Sequence, residues 1–170
     1  MPDWALAGPE AAPAVARLWA RATARRDGRP LPAGPGPDLL DAVRRRLGRP
    51  GAVVLLGWSG GELVACGVGT RRGPADDAEL SLVAVAPERW GAGLGGRVLR
   101  RLEEELARAG YRRGALQVLA ANRAAVRLYE AAGWRRLPGE LPPHRDGPQL
   151  AYAKDPLTGA AQPAAPVTAR

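Results

Sequence analysis

One stretch constrains the fold of this chain more than any other: an apolar strand that turns into a glycine loop and then an amphipathic helix. Glu79–Ala86 is a nearly continuous apolar run, the pattern of a central strand covered on both faces. Pro87–Trp90 makes a turn, and Gly91, Gly93, Gly95 and Gly96 then crowd the loop around Ala92. Leu94, Val98, Leu99, Leu102 and Leu106 follow on one helix face, with Gly110 as the stop. A glycine costs about 0.5–1 kcal/mol of backbone entropy, so four in so short a stretch need a reason. The arrangement supplies one: it points several unpaired backbone N–H groups at one spot, where a phosphate is held. A phosphorylated cofactor is the ligand this stretch predicts.

The rest of the chain sets bounds on that reading. Its 170 residues suffice for one domain with a real core, and 46% hydrophobic content argues against global disorder. Cys66 is the single cysteine, so neither a disulfide framework nor a thiolate metal site is available, and no metal site is expected. No apolar run approaches the roughly 20 residues needed to span a bilayer, and the N-terminal Met-Pro-Asp-Trp lacks signal-peptide character. A cytoplasmic protein without membrane contact is the expectation. The formal charge is +8, but nearly all cations are arginines and Lys154 is the only lysine. Such a bias reads as GC-rich coding and a solvated basic surface, with some attraction for an anionic cofactor or substrate. With 5% aromatic residues and no Phe there is little for bases to stack on, so a nucleic-acid module is disfavoured.

Helical spacing of Val15, Leu18, Trp19 and Ala22 marks a helix over 10–26, and the Pro/Gly-rich segment 29–37 is a loop. Asp38 reads as the cap of a second helix through Leu47. Residues 52–58 and 62–70 form a hairpin around Ser59-Gly60-Gly61. Strands over 79–86 and 114–119, a helix over 122–132 stopped by Gly133, and a last strand over 150–154 complete the series. Residues 135–149 read as irregular. The fold class predicted is α/β of the α+β type: a mixed sheet flanked by helices, one domain over 1–155, with an Ala/Pro/Thr-rich disordered tail over 156–170.

Gly91, Gly93 and Gly96 satisfy the dinucleotide fingerprint, but Pro87–Trp90 separates them from the strand. The next strand carries Gln117 and ends in alanines instead of the acid that binds ribose, and too little chain remains for a second half. The residues instead resemble those of the GNAT superfamily of acyl-CoA-dependent N-acyltransferases. Val85-Ala86-Pro87 matches that family's strand end, and Trp90-Gly91-Ala92-Gly93-Leu94-Gly95 its pyrophosphate loop, with Trp90 where Gln or Arg is usual. A second signature, Asn122-Arg-Ala-Ala125-Val-Arg-Leu128-Tyr129-Glu-Ala-Ala-Gly133-Trp134, follows about 30 residues later, with Trp134 in place of the common Phe. The resemblance covers most of 50–135 and implies a mainly antiparallel sheet with splayed central strands. It also implies acetyl-CoA as cofactor, held by Val83, Ala84, Val85, the loop 90–96 and Asn122, with Tyr129 near the cofactor sulfur.

Seven residues at about 100° each bring Asn122 and Tyr129 within roughly 20° of one helix face. Asn122 equally suits a helix N-cap and Tyr129 a core aromatic. A phenol with a pKa of about 10 stays protonated at neutral pH and can serve a departing thiolate, whose pKa is about 8.5. Ribosomal-protein N-terminal acetyltransferases within the superfamily place a glutamate five residues before the signature Asn; here Gln117 stands there and cannot take the proton. Glu79, at the start of the central strand, is the candidate base, with an exposed strand-end carboxylate as its plain alternative. His144 reads as a loop residue with a possible substrate contact, and Cys66 as core. Arg97, Arg100, Arg123 and Arg127 are mostly solvated, with one or two near the cofactor's 3′-phosphate. The reading is direct acetyl transfer from acetyl-CoA to a primary amine of a small molecule or peptide. The alternative is a non-catalytic acyl-CoA-binding domain of the same fold. The acceptor is not named by any motif, and a homodimer is left open.

Overall fold

The computed structural model describes residues 1–74 and 76–160. The strands are β1 (Asp3–Ala7), β2 (Val53–Ser59), β3 (Glu62–Arg71), β4 (Asp77–Val85), β5 (Arg113–Leu119), β6 (Arg135–Arg136) and β7 (Gln149–Lys154). The helices are α1 (Ala12–Arg26), α2 (Pro37–Leu47), α3 (Leu94–Arg108) and α4 (Arg123–Ala131). One sheet runs β1-β2-β3-β4-β5-β7-β6, antiparallel everywhere except between β4 and β5. The expected mixed sheet with flanking helices is therefore present.

The β4–β5 pair decides where a ligand can go. It holds for only Asp77–Arg113, Ala78–Gly114 and Glu79–Ala115. Beyond Glu79 the strands part, and that edge of β4 is left without a strand partner. Opposite, β4 carries a bulge: Cys66 pairs with Ala84 and Val68 with Ser81, so Leu82 and Val83 together face Gly67. Leu82 sits at φ +52°, unusual for a side-chain-bearing residue, and its carbonyl accepts from the Cys66 thiol at 3.3 Å. Burial pushes that thiol up to about 12, so Cys66 is an inert core group, as its position implied.

Helix α3 lies close against β3. A Cβ on Gly67 would meet Leu102 at 2.9 Å, and one on Gly69 would meet Leu106 at 2.5 Å. Val98, Leu99, Leu102 and Leu106 are fully buried, so the predicted apolar stripe fixes the helix and the position of its N-terminus. Helix α1 covers the β3–β4 half through Val15 and Leu18, and α2 packs on α1, adding Val43 and Leu47 to the same core. The hairpin turns on Gly60 and Gly61, both at positive φ.

Four features differ from the sequence expectation. β1 has no counterpart in it: this edge strand buries little, and Leu6 points outward at 57% exposure, so no apolar alternation marks it. Helix α2 starts at Pro37 with Gly36 at its N-cap, because proline's fixed φ suits the first helical position; Asp38 lies in the first turn. Arg135–Arg136 adds a short strand in the segment read as irregular. Residues 156–160 pack on the body instead of leaving it. Leu157 is buried, its N–H donates to the Arg112 carbonyl at 2.8 Å, and the Thr158 N–H donates to buried Glu103 at 3.0 Å. Residues 161–170, the rest of the expected tail, lie outside the described residues.

Glu103 organises that corner. Its two oxygens accept from the Trp134 indole at 2.9 Å and from Lys154 at 2.7 Å. The Lys154 ammonium also donates to the Ala132 carbonyl (2.8 Å) and the Thr158 hydroxyl (2.9 Å), which uses its three protons. An ammonium suits three convergent acceptors better than a planar guanidinium, which gives the chain's one lysine a physical reason. The indole N–H likewise explains Trp134 where Phe is common.

Candidate active site

The loop 90–96 is built as the glycine pattern requires. Gly91 and Gly93 adopt φ +81° and +73°, conformations that L side chains rarely take. Gly93 is the N-cap of α3, and no side chain caps that end. The first N–H groups of α3 therefore have no intrahelical partner, and the backbone N–H groups of Gly91, Ala92 and Gly93 make no bond to the described residues. These donors, with the positive end of a 15-residue helix behind them, form an anion cradle.

A cleft of about 460 Å³ leads from this cradle along the free edge of β4. Val83, Ala84, Val85, Trp90, Gly91, Gly93, Leu94, Gly95, Gly96, Asn122 and Leu128 line it. Trp90 is 47% exposed, and its indole donates to the Val85 carbonyl at 2.8 Å. The residue in the usual Gln/Arg place thus ties the strand end to the loop, and one of the β4 acceptors expected to meet the cofactor is already engaged.

A second cavity of about 710 Å³ fills the fork between β4 and β5. It shares Trp19, Thr23, Arg26, Val83, Asn122 and Ala125 with the cleft, so the two adjoin. Tyr129 lines it at 8% exposure, packed edge-on to Trp134 at 6.2 Å and tilted against Tyr152 at 6.4 Å. It is both core aromatic and cavity wall. Its hydroxyl makes no hydrogen bond to the described residues, and burial raises its pKa to about 12. Asn122 also does two things: its Oδ1 accepts from the Ala125 N–H at 3.3 Å as the α4 N-cap, and the residue lines both cavities.

Glu79 is not brought to either cavity. It lies on the still-paired stretch, opposite Thr70 and Ala115, just before the strands part. Gln117, the neutral residue in the glutamate position, does line the larger cavity. His144 lines it too, with its Nδ1 accepting from the Asp146 N–H at 3.2 Å. Arg97 and Arg100 border a third cavity between α3 and α4, beside Gly93 and Gly96. Sequence reasoning missed Ser81, whose buried hydroxyl has no partner and which lines the fork. It also missed Arg26 and Arg29 at the end of α1 and beyond. An unmatched buried hydroxyl has no sequence signal, and an arginine among so many is not conspicuous.

A sequence model described as the acetyltransferase (GNAT) family matches residues 17–134. No curated protein matches the sequence significantly. Among solved structures, the ribosomal-protein-S18-alanine N-acetyltransferase of Escherichia coli is 24% identical, with TM-score 0.72 over 95% of this chain and 97% of that one. An acetyltransferase of Thermus thermophilus is 26% identical, with TM-score 0.66 over 91% and 97%. An acetyltransferase of Salmonella typhimurium, solved with acetyl-CoA, is 20% identical, with TM-score 0.70 over 99% of each chain. The unpaired donors of loop 91–96 and the free β4 edge fit the family's cofactor, acetyl-CoA. With both signatures inside the matched region and the splayed sheet around them, the chain belongs to the GNAT family of acetyltransferases.

Proposed function

We propose that the chain transfers the acetyl group of acetyl-CoA directly to a primary amine, with the Tyr129 hydroxyl as hydrogen-bond donor to the departing thiolate. Bound acetyl-CoA supplies an activated thioester. The N–H groups of 91–96 hold its pyrophosphate, and Arg97 or Arg100 at the α3–α4 cavity suits its 3′-phosphate. The backbone groups on the free edge of β4 at Val83 and Ala84 align the arm, and a β4 N–H polarises the reacting carbonyl. Tyr129 keeps its proton throughout the physiological range, because its pKa is raised to about 12 by burial. Its unpartnered hydroxyl is therefore free to donate to sulfur as negative charge develops there. Asn122 orients α4, and with it Tyr129, against β4. The fork opens the other side of the reacting carbon to the amine. We assign deprotonation of the amine to solvent in the cavity and not to Glu79, which lines neither cavity. A cytoplasmic location goes with this reading.

The observation that carries the reading is Tyr129: a buried phenol on the wall of the fork cavity, with no hydrogen-bond partner among the described residues. Incubation with acetyl-CoA and an amine library, followed by mass spectrometry, is the direct test. Tyr129→Phe is expected to lower kcat about 100-fold with the KM for acetyl-CoA changed less than about twofold. An unchanged kcat removes Tyr129 from the mechanism. Cofactor binding without turnover of any amine returns the chain to an acyl-CoA-binding domain.

A further inference from the structure

The fork cavity carries a charge pattern that the transfer reaction does not use. Arg26, Arg29 and Arg145 line it, and Asp146 is the one carboxylate among its lining side chains. Asp27 binds Arg26 through both oxygens, at 2.6 and 3.1 Å, and Arg29 at 2.9 Å. Hydrogen bonds from Arg26 first, and then from Arg29, hold that carboxyl below its ordinary range. Three guanidiniums therefore face two carboxylates, and positive charge is left over at the mouth. Asp27 takes one nitrogen of Arg29, whose side chain is 64% exposed, and leaves the rest of the fork for another oxyanion.

Arg26 also lines the cofactor cleft, but Arg29 and Arg145 line the fork cavity alone, so the cofactor does not account for their charge. The other polar side chains lining the fork include neutral ones: Gln117, Asn122, Gln149 and the Tyr129 hydroxyl. A polycationic acceptor would find guanidiniums at the entrance and no free acidic wall behind them.

We propose that the acceptor is a small amine that also carries an oxyanion, a carboxylate or a phosphate-type group. Arg29 and Arg26 hold the oxyanion at the half-exposed mouth, and the amine reaches inward to the buried Tyr129 end. The cavity, about 710 Å³, is of ordinary small-molecule size. This inference rests on the acetyl-transfer reading and specifies its substrate.

The test is a matched panel at saturating acetyl-CoA, read by CoA release and product mass. It contains α- and ω-amino acids, O-phosphoethanolamine, the amino-acid amides, ethanolamine and spermidine. Compared per neutral amine, because an amide lowers the pKa of its own amine, the acids are expected to exceed their amides by about tenfold or more in kcat/KM, and the phosphate arm separates the two oxyanion types. Arg29→Gln should raise the KM for the acid about tenfold, erase its advantage over the amide, and leave the KM for acetyl-CoA unchanged. Arg29→Glu should reverse the preference toward spermidine, which a merely structural arginine would not do. Preference of the unaltered enzyme for amides or spermidine, or an Arg29→Gln enzyme that keeps the acid preference, overturns the inference while leaving acetyl transfer intact. Acetyl-CoA binding with turnover of no amine overturns acetyl transfer and this inference together.

Discussion

The two halves of the site are made of different material. The cofactor half is main chain: the open N–H groups of 91–96 and the unpaired edge of β4 after Glu79. The acceptor half is side chain: Arg26, Arg29, Ser81, Gln117, Tyr129 and His144, drawn from α1, the loop after it, β4, β5, α4 and the segment before β7. Backbone sites depend on conformation, so they leave a mark where only glycine adopts the needed φ, and the mark is local. Side-chain sites depend on which distant segments meet, so their residues follow no spacing. The halves should therefore fail differently. The cofactor half should be sensitive to backbone strain and tolerant of side-chain change, and the acceptor half the reverse.

The largest effect expected on the cofactor half comes from Gly93→Val. A Cβ there meets no atom within 4 Å, so crowding is not the cause. The cause is φ +73°, which a β-branched residue resists strongly, at the N-cap of the helix that supplies the cradle. Acetyl-CoA affinity, measured by calorimetry, should fall on the order of a hundredfold, with the melting temperature of the cofactor-free protein much less affected. A loss below about threefold would mean that side chains hold the phosphates, and the contrast between the halves would collapse.

A side-chain change in the same half should do far less. Trp90→Phe keeps an aromatic ring but removes the N–H that occupies the Val85 carbonyl at 2.8 Å. One neutral hydrogen bond is worth about 1 kcal/mol, so the KM for acetyl-CoA should move by about fivefold or less. A change as large as that of Gly93→Val would show that loop geometry depends on this indole, which would blur the division from the other side.

What the sequence disclosed follows the same division. The strand, turn, glycine loop and helix were legible because each step is local: an apolar run, a proline, positive-φ glycines, an apolar stripe. The second signature placed Asn122 and Tyr129 on one helix. The bulge at Leu82 was not legible, because nothing about Leu82 itself demands φ +52°; the demand arises from pairing with β3, supported by the Cys66 thiol. Glu79 looked available because strand alternation places it on one face with Ser81 and Val83, but alternation says nothing of where β4 and β5 separate. That point lies just after Glu79, and the bulge then breaks the alternation. Buried Leu157 and the Thr158 bond to Glu103 were hidden in an Ala/Pro/Thr-rich stretch whose composition reads as tail.

The smallest effect is expected from alkaline titration, and its sign separates burial from catalysis. Tyr129 belongs to the acceptor cavity, yet its pKa, raised to about 12, is set by burial alone. No falling limb of kcat due to Tyr129 should appear between pH 7 and about 10, and Tyr129→Phe should not change the shape of the profile there. Stability behaves otherwise. A tyrosine whose folded pKa exceeds the unfolded value of about 10 binds more proton in the native state between the two, so stability is complete below pH 10 and falls as pH rises toward 12. Cys66, raised from 9.0 to about 12, adds the same sign of loss beginning near pH 9. Each group removes about 1.4 kcal/mol per pH unit within its window. Chemical denaturation across pH 7–11 should give a plateau and then a decline from about pH 9, and Cys66→Ala should delay that decline to about pH 10. Were kcat to fall with an apparent pKa of about 10 while the stability of Cys66→Ala stayed level across that range, Tyr129 would be titrating as an exposed phenol in contact with water, and the floor of the acceptor half would be wetter than its packing against Trp134 and Tyr152 implies.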